Sequence, residues 1–215
     1  MAKLLEESLM RLKNLTAIAI VSILSLSNVP TATADSAKPG QSMTHMKTGA
    51  GFASTLEAAG VILYVQGGAT SSIIGDSVGS PNGQYVFHIP VTANKSGVQH
   101  LGSNIVFFNT ANNLQLQLRN PVIDLKTGVV TATLPQAENK STAVLTITNA
   151  ATLKPKVTSD KKTKMRTTAY SGATLSLAPG IAAAISSILG LPANSLPEAA
   201  AFGSTDVTLY SKIKS

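Results

Sequence analysis

Leu114-Gln115-Leu116-Gln117-Leu118-Arg119-Asn120-Pro121-Val122-Ile123 is the stretch that decides the fold class. Leu114, Leu116 and Leu118 alternate with Gln115, Gln117 and Arg119. A period of two is what a half-buried strand needs, because successive side chains leave a pleated backbone on opposite faces. Asn120-Pro121 interrupts the pattern, since proline brings no N–H to a ladder. Val122–Leu125 and Val129–Leu134 then flank Lys126-Thr127-Gly128, a hairpin loop with glycine at its left-handed position.

Outward from this block the same grammar recurs. Val61–Gln66 is apolar and β-branched and closes on Gly67-Gly68. Tyr85–Val91 alternates, with Tyr85, Phe87 and Ile89 on one face and Val86 and His88 on the other. Asn104–Phe108 and Ser141–Thr148 read as strands, the second with Ala143, Leu145 and Ile147 on one face. Met165–Leu177 and Asp206–Ile213 are further strand candidates. Thr70–Gly83, with Gly75, Gly79 and Pro81-Asn82-Gly83, reads as loop and turn. Ser54–Ala59 suggests a helical turn capped by Ser54 or Thr55. One full helix is expected, with Pro179 at its first turn, Ile181–Leu189 as its body and Gly190 as its stop. Many short strands with one late helix predict a mainly β, antiparallel β-sandwich or barrel-like domain.

Composition sets the class. Of 215 residues 44% are apolar and 13% charged, which supplies a core and argues against a disordered chain. Aromatics are only 4%, so the core is aliphatic. Cysteine is absent, which excludes disulfides, thiolate metal sites and cysteine nucleophiles.

The N-terminus has the layout of an export segment. Lys3, Arg11 and Lys13 precede the uncharged apolar run Leu15–Leu26, and Pro30 and Ala32-Thr33-Ala34 follow in a cleavage pattern. Met10 offers an alternative start with a cleaner basic region. The expected organisation is a cleavable signal peptide at 1–34, a flexible leader at 35–52 and a single β-rich domain at 53–215. The mature chain is then secreted, extracellular or in the cell envelope, without a spanning helix. The formal charge of +7 favours an anionic surface such as cell-wall polymer or lipid head groups, and the expected partners are cell-envelope or surface proteins and polymers. The run Lys161, Lys162, Lys164, Arg166 lacks interleaved aromatics and a surrounding motif, so nucleic acid is not expected and a solvated loop is.

Tests for chemistry return little, and the chain is not expected to be an enzyme. Gly75-Asp76-Ser77-Val78 resembles the opening of a lipase block, but no histidine follows His100 and no G-x-S-x-G elbow exists. His45, His88 and His100 have no metal-ligand spacing, and no metal is expected. Gly67-Gly68-Ala69-Thr70 lacks the lysine of a phosphate loop.

Three blocks resemble a known family. They are Leu63-Tyr64-Val65-Gln66-Gly67-Gly68; Asn104–Phe108 with Leu114–Ile123 and its Asn-Pro-aliphatic end; and Thr174–Leu177 with the helix and Asp206–Leu209. From about Gly60 to Tyr210 the chain resembles the Htaa domain, a haem-uptake module of secreted and cell-surface proteins in Gram-positive bacteria. The resemblance implies a β-rich domain that binds or relays haem in iron acquisition, with Tyr64 as the iron-binding phenol. The family's supporting histidine falls in a gap that here reads Asn109-Thr110-Ala111-Asn112-Asn113, so His88 or His100 would have to take its place. Read from its strand alone, Tyr64 is a core tyrosine. The alternative function is a non-enzymatic envelope domain that binds protein or polymer without haem.

Overall fold

A computed structural model describes residues 41–213. The expected signal peptide at 1–34 lies outside the described residues. In chain order the elements are β1 (Met43–Thr48), α1 (Ala50–Ala58), β2 (Val61–Gly67), β3 (Thr70–Ile74), β4 (Gln84–Pro90), β5 (Ala93–Asn94), β6 (Val98–Gln99), β7 (Ser103–Asn109), β8 (Gln115–Asp124), β9 (Val129–Leu134), β10 (Lys140–Ile147), β11 (Lys156–Asp160), β12 (Met165–Leu177), α2 (Ile181–Ile188) and β13 (Ala201–Lys212).

The strands form one sheet in the order β2-β7-β8-β9-β10-β12-β13-β1-β4-β3. Every ladder in it is antiparallel. β11 adds to β12, and the small β5–β6 hairpin adds to β8. The two ends of the path, β2 and β3, follow one another directly in the chain, so the sheet curls into a nearly closed barrel. The seam is bridged from inside. Leu63 N–H on β2 donates to the buried hydroxyl of Tyr85 on β4, at 3.3 Å. That bond partners an amide that faces the gap, where a sheet edge otherwise leaves donors bare.

Inward-facing residues fill the barrel, with Phe87, Phe107, Phe202, Met46, Ile89, Leu116 and Leu175 among the deepest. Full burial of side chains of this size contributes about 1.5–3 kcal/mol each. α1 lays Phe52 and Leu56 on the core, where Phe52 meets Phe202 with ring centroids 5.1 Å apart. α2 buries Ile181, Ala182 and Ile185. Gly67 ends β2 with φ at +74°, and a Cβ there would strike the carbonyl of Gly102. Gly128 holds the left-handed position of the β8–β9 hairpin, as its spacing predicts.

Several expectations are corrected. The flexible leader over 35–52 gives way at Met43, because β1 lies in the middle of the sheet between β13 and β4. Its threonines look polar but are buried and satisfied: Thr44 bonds His100, and Thr48 Oγ1 accepts the amide of Tyr85 at 2.9 Å. The predicted turn at Ser54 is a full helix beginning at Ala50, with Gly49 as its cap; the Ser54 and Thr55 hydroxyls donate back to the Gly51 carbonyl instead. Thr70–Ile74, expected as loop, is β3. Asn120-Pro121 does not end its strand. It forms a bulge within β8, with Asn120 at φ +50°, and the ladder resumes at Val122. Ala143 is not inward, because a register shift between it and Leu145 turns Val144 to the core. Pro179 precedes the cap of α2 rather than opening the helix, the cap being Gly180 in a left-handed conformation. No helix among the described residues is long and apolar enough to cross a membrane.

Candidate functional site

The three residues singled out as haem ligands occupy three different environments. Tyr64 lies on β2, whose Val61 and Leu63 face inward. Tyr64 therefore points outward and is half-buried, so it is not the core tyrosine its strand suggests. Its hydroxyl donates to Oε1 of Gln115 over a long 3.4 Å. Strand register builds the surface around it. Ile62, Phe108 and Gln115 form one cross-strand row, and Tyr64, Val106 and Gln117 form the next. Gln66, Asn104 and Arg119 form a third. Ile62 keeps 40% of its surface in water. The result is an outer face with a phenol beside Ile62, Phe108 and the buried Val106, and a guanidinium at one end. Arg119 Nε donates to Gln117 Oε1 at 2.7 Å, which fixes the direction of that cation.

His100 sits inside the barrel and is 1% exposed. Its Nδ1 lies 2.8 Å from the carbonyl of Pro121, which can only accept, so Nδ1 carries the proton. Nε2 then accepts from the Thr44 hydroxyl, also at 2.8 Å. Both ring nitrogens are engaged in tying the Asn120-Pro121 bulge to β1. Burial, only partly offset by the Pro121 bond, pushes the imidazole pKa down. The same bulge is held from the other side by Gly102 N–H, which donates to Asn120 Oδ1.

His88 is on the outer side of β4, opposite Phe87 and Ile89. Its Nδ1 lies 2.8 Å from Nδ1 of His45 on β1, and the rings meet edge to face with centroids 4.8 Å apart. Spacing in the sequence gives no hint of this pair; the β1–β4 register sets the two residues directly opposite. Tyr64 is thus on the β2–β7–β8 face, His88 on the β1–β4 face and His100 in the interior.

The Asn109–Asn113 gap has a structural task. Asn109 is buried, and its side-chain amide donates to the carbonyl of Leu189 at 2.8 Å; Asn112 does the same at 2.9 Å. A helix leaves its last carbonyls without intrahelical donors, and both amides serve the one at the C-cap of α2, Leu189. The loop's sequence is legible as a cap for a remote helix only once the fold places α2 beside it.

Two open clefts complete the survey. One of about 340 Å³ lies between α1 and the segment before β13, lined by Phe52, Thr55, Leu196, Pro197 and Ala200. One of about 500 Å³ lies by the β5–β6 and β8–β9 hairpins, lined by Val98, Ile123, Asp124, Lys126, Tyr170 and Leu209. Asp124 accepts the amides of Lys126 and Thr127, and its hydrogen bonds to Thr127, then Lys126, hold its carboxyl below the usual range. Ser77 sits in a turn whose carbonyl receives both the amide and hydroxyl of Ser80. Among the described residues no group of three or more His, Asp or Glu side chains is arranged to hold a metal ion.

No family model matches this sequence. No curated protein matches it either. Among solved structures the chain is similar to the crystal structure of the C-terminal domain of HtaA from Corynebacterium glutamicum, at 12% identity and a TM-score of 0.42, over 78% of this chain and 97% of that one.

Proposed function

We propose that this chain is a non-enzymatic binding domain of the secreted or cell-envelope type, which takes haem on the outer face of β2, β7 and β8. The observation that carries the reading is the outward, half-buried phenol of Tyr64 on the same face as the water-exposed Ile62. The residues suit such a ligand in kind. A flat apolar ring needs apolar cover, which Ile62 and Phe108 offer; anionic substituents need a cation, which Arg119 offers. Bound haem supplies an iron that accepts an anionic oxygen donor. Tyr64 is the donor on this reading, and it must lose its proton to serve. Its present partner Gln115 has an amide N–H₂ on the same carbon as Oε1. Rotating that amide would let it donate to the phenolate in place of the family's histidine.

Haemin titration of the full chain tests this. The expected result is a saturable Soret shift in the wild type that is lost in Tyr64→Phe. An unchanged haemin spectrum with the wild type, or an equal shift with Tyr64→Phe, overturns the reading.

A second reading rests on a different observation. Lys161, Lys162, Lys164 and Arg166 lie exposed at the tip of the β11–β12 hairpin. That cluster suits an anionic envelope polymer, and its sign is a retention on cell-wall material that falls as salt is raised.

A further inference from the structure

We propose that His45 and His88 form a chelating site for a divalent transition metal, with copper(II) as the cation it fits best. The two residues are direct cross-strand partners on β1 and β4. Both lie on the side opposite the inward Thr44, Met46, Phe87 and Ile89. Their Nδ1 atoms are 2.8 Å apart. In the metal-free protein one ring donates its Nδ1 proton to the other, because a single proton is all that a contact between two such nitrogens can hold. A cation takes both lone pairs. The ring that carried the Nδ1 proton then takes up its Nε2–H tautomer, and both rings stay neutral.

Geometry selects the metal. Imidazole nitrogens bind such ions at about 2.0–2.1 Å. Two nitrogens 2.8 Å apart then subtend about 90° at the metal, by simple trigonometry on those bond lengths. That is the cis angle of a square-planar or tetragonal centre, the geometry of copper(II) and nickel(II), whereas tetrahedral zinc asks its ligands to stand wider apart. Copper(II) also heads the affinity order for nitrogen ligands. The ladder fixes both backbones in advance, so little freedom is lost when the rings are joined. Two further positions on the metal fall to water. Asp206 is in register with His45 on the neighbouring β13, and its Oδ1 is held by Gly172 N–H at 2.7 Å. It adds a negative charge on the same face.

The test is a titration of the full chain with copper(II) chloride at pH 7.5, followed by electron paramagnetic resonance. The wild type is expected to saturate at one copper per chain, with an axial spectrum showing coupling to two imidazole nitrogens. His45→Asn, at the more exposed ring, is expected to abolish that species, and zinc to displace copper poorly. The nitrogen count on the wild type does not depend on any variant folding. A wild-type spectrum with fewer than two imidazoles, or one unchanged by His45→Asn in a folded variant, overturns the proposal.

Discussion

Replacing Tyr85 by Phe removes one oxygen atom and leaves the ring packing in place. That oxygen is the acceptor for Leu63 N–H across the barrel seam, and Tyr85 is 7% exposed. Stranding a buried amide costs about 1–3 kcal/mol. The bond is 3.3 Å long, above the usual N–H···O distance, which places the expected loss in the lower part of that range, about 1–2 kcal/mol. For a domain of this size each kcal/mol moves the melting midpoint by about 2–4 °C, so Tyr85→Phe should melt about 2–8 °C lower. Native-state hydrogen exchange localises the effect: the Leu63 amide should exchange faster in the variant, while amides of the β12–β13 ladder follow only the global change. The substitution has a second consequence at high pH. Burial, above all, raises the Tyr85 pKa, with a smaller push from Glu57, while the Leu63 bond acts to lower it. The unfolded chain therefore ionises this phenol from about pH 10 while the folded chain resists, and stability falls as pH rises through that region. Tyr85→Phe should flatten that fall. An unchanged midpoint, an unchanged Leu63 exchange rate and an unchanged alkaline limb together would refute the view that this hydroxyl seals the seam.

Two more expectations follow from buried groups and tight backbone. The lowered pKa of His100 means that the unfolded chain binds a proton the folded chain refuses, so stability should decline as pH falls below about 6.5 and approach a limiting slope of about 1.4 kcal/mol per pH unit for this one proton; urea melts between pH 7.5 and 5 measure it, and a flat profile contradicts the buried, neutral assignment. Gly67→Ala forces a Cβ into the Gly102 carbonyl at a left-handed φ, which by itself costs about 1–2 kcal/mol, so a loss of at least that much is expected in urea melts, and wild-type stability would show that the β2–β3 corner is looser than described.

The sequence is most legible where one strand face is buried and its neighbours are polar. Val129–Leu134 alternates because its burial alternates; Gln115–Arg119 and Tyr85–Ile89 alternate in residue type, although the outer Gln117 and His88 are buried as well, and the glycine of the β8–β9 hairpin answers to the left-handed φ of its turn. What stayed hidden depends on distant partners. Met43–Thr48 carries no β-branched apolar run, and its buried threonines are tolerable only because His100, in the turn before β7, and the Tyr85 amide on β4 meet them. Asn120-Pro121 reads as a break because proline lacks a donor; His100 and Gly102, far along the chain, hold it as a bulge instead. Of the candidate site, Tyr64 was found by motif and its outward direction was not, since Ile-Leu-Tyr-Val gives no clear alternation. The His45–His88 pair is a product of register alone.

The placement of β1 between β4 and β13 also governs how the molecule is assembled. Thr205 donates its hydroxyl to the His45 carbonyl across 160 positions of chain, and that ladder joins the first described strand to the last. Closing so long a loop is entropically slow, and it comes after the local hairpins in any plausible order of events. Until β13 exists, β1 has no neighbour on one side and β12 lacks its most extensive one, leaving two long unsatisfied edges in the nascent chain. The finished barrel is therefore an all-or-none object with respect to chain length, and a polypeptide stopped short of residue 201 should collapse into sticky half-sheets rather than a smaller version of the same domain.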